Sequence, residues 1–349
     1  MTEHRKIPVP GAETGKSSVE RALEGFDLSK IGGIARPGAV PAAAPRQVVQ
    51  APAEPVVEVP LVQDRAAEAP VHAPAPMREA PVAGPAHASL PPAREPVRFS
   101  DVRHAIDRKR LRAQGMIEPE GSVSGLLEEF RIIKRQLLLQ SGELVRASRK
   151  AGGNGAAGQR VLICSPLPGE GKTYCAVNLA LAIAAEKESE VVLVDADFAK
   201  PSVLSTLGLP GGPGLMDALT DPAIDVAQCV IGTDVPGLWV LPAGNATNSD
   251  TEFLASSRTP AVLERLTEGA PHRIVIFDSP PALAASPAAE LARYVGQAVV
   301  IVRADRTGQG ALEDAISLLA ACPNIYLLLN AVQFSPSGRR FGSYYGYGG

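Results

Sequence analysis

Residues 165–173, SPLPGEGKT, place a lysine and a threonine directly behind two closely spaced glycines, a combination suited to gripping a phosphate chain. Gly169 and Gly171 let the backbone approach an anion closely. The amides of Gly169, Glu170, Gly171, Lys172 and Thr173 can then converge on one group at the positive end of a following helix. Lys172 supplies a point charge for the outer phosphates, and the Thr173 hydroxyl is suited to ligate magnesium. The pattern GxxxxGK[ST] is met only in variant form, since Pro166 stands five positions before Gly171. Two acidic stations follow. Asp195 and Asp197 are separated by one residue and need a cation or a proton to coexist. One can help hold a magnesium ion's water shell while the other accepts a proton from an incoming hydroxyl. Asp278 closes the run RIVIFD, the usual place for the acidic partner of a phosphate loop.

These groups must be carried by strands and helices in alternation. The run 161–163 reads as a buried strand that Pro166 and Pro168 prevent from continuing, and 176–184 gives the next helix an apolar face. Strands are expected at 191–194, 238–241, 273–278, 298–302 and 325–329, the last ending at Asn330, with helices at 214–219 and 310–321. That alternation predicts an α/β fold, a mostly parallel sheet covered by helices on both faces; with the phosphate loop of 165–173 at a strand-to-helix turn, the expectation is a P-loop NTPase. Open parallel sheets bind ligands at the carboxyl ends of their strands, where Asp195 and Asp278 fall.

Outside this core the chain changes character. Half of its 32 prolines lie in the first 100 residues, and Phe26 is the only aromatic residue before Phe99, so 1–98 reads as a disordered Ala/Pro-rich region. Within it, 17–28 can form a short amphipathic helix and 38–96 an extended tether. A charged helix is expected at 101–114, ended by Gly115. A second, capped by Ser122 or Ser124, should run to about 140 with Leu126, Leu127, Phe130, Ile133, Leu137 and Leu138 on its apolar face. The opposite face carries Glu128, Arg131, Lys134 and Arg135, which on their own read as a solvated stripe. A mobile connection is expected over 147–160. The domain proper then spans 99–334, and 335–349 is a flexible Gly/Tyr tail whose Tyr344, Tyr345 and Tyr347 are either phosphate acceptors or simply sticky.

A net charge of -3 gives no sign of a nucleic-acid partner, and no apolar run nears the roughly 20 residues that span a bilayer. A cytoplasmic location is expected. Cys164, Cys175, Cys229 and Cys322 lack metal-site spacing and read as buried free thiols.

Several of these stretches together resemble the bacterial tyrosine kinases, P-loop autokinases related to cell-division and partitioning ATPases. SPLPGEGKT resembles their Walker A loop, VVLVDADFAKPS their Walker A' motif and IVIFDSPP their Walker B motif. EEFRIIK resembles their ExxRxxR helix, with Lys134 in place of the last arginine, and the tail resembles their tyrosine cluster. The order of motifs looks most like the soluble, exosortase-associated subgroup. The resemblance implies an ATP- and Mg2+-dependent protein-tyrosine autokinase of exopolysaccharide biosynthesis. Lys172 would bind the phosphates and Thr173 magnesium, Asp195 would be the base, Asp197 and Asp278 would organise magnesium, and Asn330 would contact the adenine. Glu128, Arg131 and Lys134 would lie at a subunit interface of a homo-oligomeric ring, which replaces the solvated-stripe reading, and the three tail tyrosines would be phosphorylated in trans. Implied partners are a separate membrane chain-length-determining (Wzz-like) protein, which would recruit the kinase to the inner membrane, and a cognate tyrosine phosphatase. Positioning ATPases related to the same family place a signature lysine where this chain has Leu167, which sets them apart, and a non-catalytic nucleotide-binding scaffold is the other alternative.

Overall fold

The computed structural model describes residues 96–247 and 249–332. The helix expected at 17–28, nearly all of the 38–96 tether and the tail with Tyr344, Tyr345 and Tyr347 lie outside the described residues.

The elements follow in the order β1 (Arg103–His104), α1 (Arg108–Ala113), α2 (Gly125–Lys150), β2 (Arg160–Cys164), α3 (Lys172–Ala184), β3 (Glu190–Asp195), α4 (Val203–Leu207), α5 (Leu215–Thr220), β4 (Ile231–Thr233), β5 (Leu238–Leu241), α6 (Asp250–Leu254), α7 (Thr259–Arg265), β6 (Arg273–Asp278), α8 (Pro287–Leu291), β7 (Gln297–Arg303), α9 (Gln309–Leu318) and β8 (Ile325–Asn330). The strands form one eight-stranded sheet in the order β1-β4-β5-β3-β6-β2-β7-β8. Every pairing is parallel except β4 with β5.

Alternate residues of the central strands bury on opposite faces, as a parallel sheet covered twice requires. Val161, Ile163, Val191, Leu193, Ile274 and Ile276 share a core with α3, while Leu162, Val192, Val275 and Phe277 are equally buried on the other face. The helix α3 is apolar nearly all round, every residue from Cys175 to Ala184 being buried, because it is sandwiched between the sheet and α2.

Three expectations need correction. The stretch 101–114 is not one helix: Arg103 and His104 pair in parallel with Gly232 and Thr233, and the helix starts only after Asp107, whose carboxylate caps the Arg110 amide at 3.0 Å. The second helix, capped by Ser124, runs ten residues past 140, to Lys150. The connection expected over 147–160 is shorter and in part packed: α2 takes 147–150, 151–154 are exposed, and the remainder packs down. Its 3-10 turn, Ala156–Gln159, buries Ala156, Gly158 and Gln159, and the Gln159 amide donates to the carbonyls of Ala270 and Arg273, both at 2.8 Å. A Cβ on Gly158 would lie 2.8 Å from the Val145 nitrogen, so close packing sets both the glycine and the extra helical turns.

Candidate functional site

At the end of β2 the chain cannot extend the sheet, because Pro166 and Pro168 lack amide hydrogens. Instead the Ser165 hydroxyl donates to the Leu167 carbonyl (2.8 Å), and the Leu167 amide donates to Oε2 of Glu170 (2.8 Å). The loop ends at Gly171, which has φ +96° and stands at the N-cap of α3. A Cβ there would overlap the side-chain nitrogen of Asn330, so glycine is required by both conformation and space. The thirteen-residue helix α3 thus points its amino end into the loop.

Around this loop the sheet gathers its carboxylates. In register, Asp195 of β3 sits beside Asp278 of β6. Asp195 is buried and accepts hydrogen bonds from the amides of Ser202 (2.8 Å) and Val203 (2.9 Å), which steady the segment leading into α4. Burial nonetheless pushes its carboxyl up to about 6, the three backbone amides around it acting in the opposite sense. Asp197 forms an ion pair with Lys172, Nζ to Oδ2, at 2.7 Å. The Thr173 hydroxyl lies 3.3 Å from that of Ser202.

Asp278 is the least compensated member. It is wholly buried, and no donor among the described residues is aligned on either carboxylate oxygen. Burial pushes it up to about 7 against the pull of the nearby Lys172 ammonium and Thr173 hydroxyl. A buried carboxylate without hydrogen bonds is costly unless a cation meets it. Among the described residues no three acidic side chains converge as a ready metal cluster, but magnesium keeps several waters and needs only one or two carboxylates. The orphaned Asp278 carboxylate, with the Thr173 hydroxyl nearby, is an oxygen donor pair that fits such an ion.

Of the residues singled out in the sequence, Gly169, Glu170, Gly171, Lys172, Thr173, Asp195, Asp197, Asp278 and Asn330 come together here. Asn330 donates its side-chain amide to the Glu170 carbonyl (2.9 Å) and accepts the Ala331 amide (2.8 Å). Glu128, Arg131 and Lys134 lie apart from it on α2. Glu128 pairs with Arg131 one turn on, whereas Lys134 is buried and pairs with Glu186 beyond the end of α3 at 2.8 Å. That burial removes Lys134 from the solvated stripe. Two further participants have no place among the residues that the sequence marks. Ser202, seven residues after Asp195, sits at the end of the DADFAKPS stretch with nothing local to assign it a role. Thr307, whose hydroxyl donates to Glu170, has no local signal at all, since only the fold brings the loop after β7 to the phosphate loop.

No family model matches the chain. Tyrosine-protein kinase Ptk of Acinetobacter johnsonii is 30% identical over 180 residues, which is 51% of this chain and 24% of that protein. Tyrosine-protein kinase YwqD of Bacillus subtilis is 31% identical over 188 residues, covering 54% of this chain and 76% of YwqD. Among solved structures, the kinase domain of the Escherichia coli tyrosine kinase ETK aligns with a TM-score of 0.46 at 22% identity, over 52% of this chain and 71% of that one. The chain spans about a quarter of the length of several curated relatives, Ptk among them.

Proposed function

The chain belongs to the bacterial tyrosine-protein kinases, and we propose on that premise that it is an ATP-dependent protein-tyrosine autokinase that phosphorylates its own Tyr344, Tyr345 and Tyr347 in trans. One observation carries this reading. The last described strand ends beside the phosphate loop, Asn330 donating to the Glu170 carbonyl, and in the sequence the tyrosines follow that strand.

In this reading the free amides of the loop and Lys172 hold the phosphates of ATP, and Asn330 is offered to the adenine. Lys172 exchanges Asp197 for phosphate oxygens and leaves that carboxylate, with Thr173 and Asp278, to hold the metal. Magnesium, when bound, supplies positive charge that offsets the charge of the phosphates. The tyrosyl oxygen forms a bond to the γ-phosphorus while the bond from that phosphorus to the ADP oxygen breaks, and Asp195 accepts the tyrosyl proton. Burial suits Asp195 to proton abstraction, because a carboxyl lifted to about 6 is mostly ionised at neutral pH yet is a better base than an ordinary aspartate. Arg131 and Glu128 serve a contact between copies in a ring, Lys134 supporting that helix from within through its pair with Glu186, and accumulated phosphate charge on the tails drives the copies apart.

The biological setting we propose is regulation of exopolysaccharide synthesis and export in the cytoplasm. No helix among the described residues is long and apolar enough to cross a membrane. In this reading a separate chain-length-determining protein recruits the kinase to the inner membrane. A tyrosine phosphatase would reset the tail. Incubation of the purified chain with ATP and Mg2+, followed by mass spectrometry, tests the core of the reading: phosphate is expected on Tyr344, Tyr345 or Tyr347 and on none of them in Lys172→Met. Mixing Lys172→Met with a wild-type chain truncated after 334 tests the trans step, and an unlabelled Lys172→Met chain would overturn it.

A further inference from the structure

Glu170 presents a buried carboxylate within the loop whose proposed ligand is itself an anion. The residue is 1% exposed, and a buried charge is tolerated only where donors or counter-charges meet it. Both oxygens are met by donors. Oε2 accepts the Leu167 amide (2.8 Å), and Oε1 accepts the Thr307 hydroxyl. Thr307 is held in turn, its oxygen accepting the Arg303 amide at 2.9 Å. The Arg303 guanidinium reaches the Gly169 carbonyl (3.5 Å), and Asn330 takes the Glu170 carbonyl on the other side.

The distribution of backbone donors in the loop gives this arrangement a purpose. Pro166 and Pro168 have no amide hydrogen, and the Leu167 amide is consumed by the Glu170 side chain. The amides of Gly169, Glu170 and Gly171 have no acceptor among the described residues. A carboxylate spanning from Leu167 to Thr307 therefore fixes the curvature of the loop from outside while leaving those three donors for an anion. Such preorganised donors need no rearrangement when the ligand arrives.

We propose that the Glu170 side chain and Thr307 are positioning residues, a latch that ties the phosphate loop to the loop after β7 and holds it in the shape that receives a triphosphate. This rests on the ATP reading given above but not on tyrosine as the acceptor.

The test uses the full chain and reads ATP·Mg2+ binding by calorimetry, with KM and kcat for ATP alongside and thermal unfolding without nucleotide as a control. Thr307→Val should weaken ATP binding and raise KM at least tenfold, with kcat changed less than threefold and the unfolding temperature nearly unchanged. Thr307→Ser, which keeps the hydroxyl, should stay within twofold of wild type. Glu170→Gln combined with Thr307→Val should bind no more weakly than the worse single variant, since both break one connection. Wild-type affinity in Thr307→Val, an equal loss in Thr307→Ser, or multiplying losses in the double variant would each overturn the latch. A wild-type chain that binds ATP but leaves its tyrosines unmodified overturns the kinase reading alone, and a Thr307→Val chain that binds and labels like wild type overturns the latch alone.

Discussion

Asp195 and Asp278 face each other in register at the carboxyl ends of two adjacent parallel strands, and only Asp195 has amides aligned on its carboxylate. Asp278 is a source of instability in the metal-free protein. Its folded-state pKa, about 7, lies above the roughly 3.9 of an unfolded aspartate, so the unfolded chain ionises first and stability falls as pH rises between those values. Over about 3 pH units the cost approaches roughly 4 kcal/mol as an upper limit. Asp278→Asn should therefore raise the unfolding temperature at pH 8 without Mg2+, show little gain near pH 4, and lose tyrosine phosphorylation. Lower stability than wild type at pH 8 would contradict the assignment.

Lys134 and Arg131 should separate when each is truncated. The Lys134 side chain is 10% exposed and bridges α2 to Glu186, whereas Arg131 is exposed and, among the described residues, pairs within its own helix. Lys134→Ala should cost about 1–2 kcal/mol through lost packing and the broken pair, lowering the unfolding temperature by several degrees. Arg131→Ala should change stability by less than about 0.5 kcal/mol. Light scattering after size-exclusion chromatography then isolates the proposed contact between copies: loss of the oligomer in Arg131→Ala at unchanged stability supports it.

Gly171→Ala should be among the most damaging changes to nucleotide binding. A side chain at φ +96° costs about 1–2 kcal/mol in the backbone alone, and the added methyl meets the Asn330 amide. Titration with ATP·Mg2+ should show a loss of more than tenfold. Adding Asn330→Ala removes the overlap but not the backbone strain, so recovery should be partial; full recovery would mean that the conformation of the glycine is unimportant.

All four cysteines are buried, and burial pushes the thiols of Cys164 and Cys175 up to about 12 and that of Cys229 to about 11. Because the thiolate is the reactive form, a disulfide reagent such as DTNB should label the native chain at pH 8 only on the timescale of unfolding, and rapidly in denaturant. A thiol that reacts within seconds in the native protein would reveal an open path to one of them.

The strand, loop and helix around Lys172 are legible in the sequence because each has a local signature: β-branched residues, then prolines and glycines, then a continuous apolar stretch. The strand-end aspartates are legible for the same reason. What escapes a reading of the sequence depends on packing at a distance. A two-residue strand at Arg103–His104 has no period to detect, and α2 persists beyond Gln140 because Ser141 is buried against Gln297, Oγ to Nε2 at 2.6 Å, in a stretch whose own serine and glycine would end a free helix. Lys134 belongs to a charged stripe until the end of α3 supplies Glu186. Thr307 is 137 residues from Glu170 in the chain and adjacent to it only in space.

The segment that leads into β1 carries one more consequence. Phe99 packs edge-on against Trp239 with ring centroids 5.7 Å apart, Arg103 lies 5.1 Å over the same indole, and Arg273 sits 4.3 Å over Phe99. Trp239 is the only tryptophan in the chain. The intrinsic fluorescence of the protein is thus a single-site optical reporter of how the 96–104 segment clasps the edge of the sheet: peeling that segment away would shift the emission to the red, while filling the phosphate loop would leave the colour unchanged.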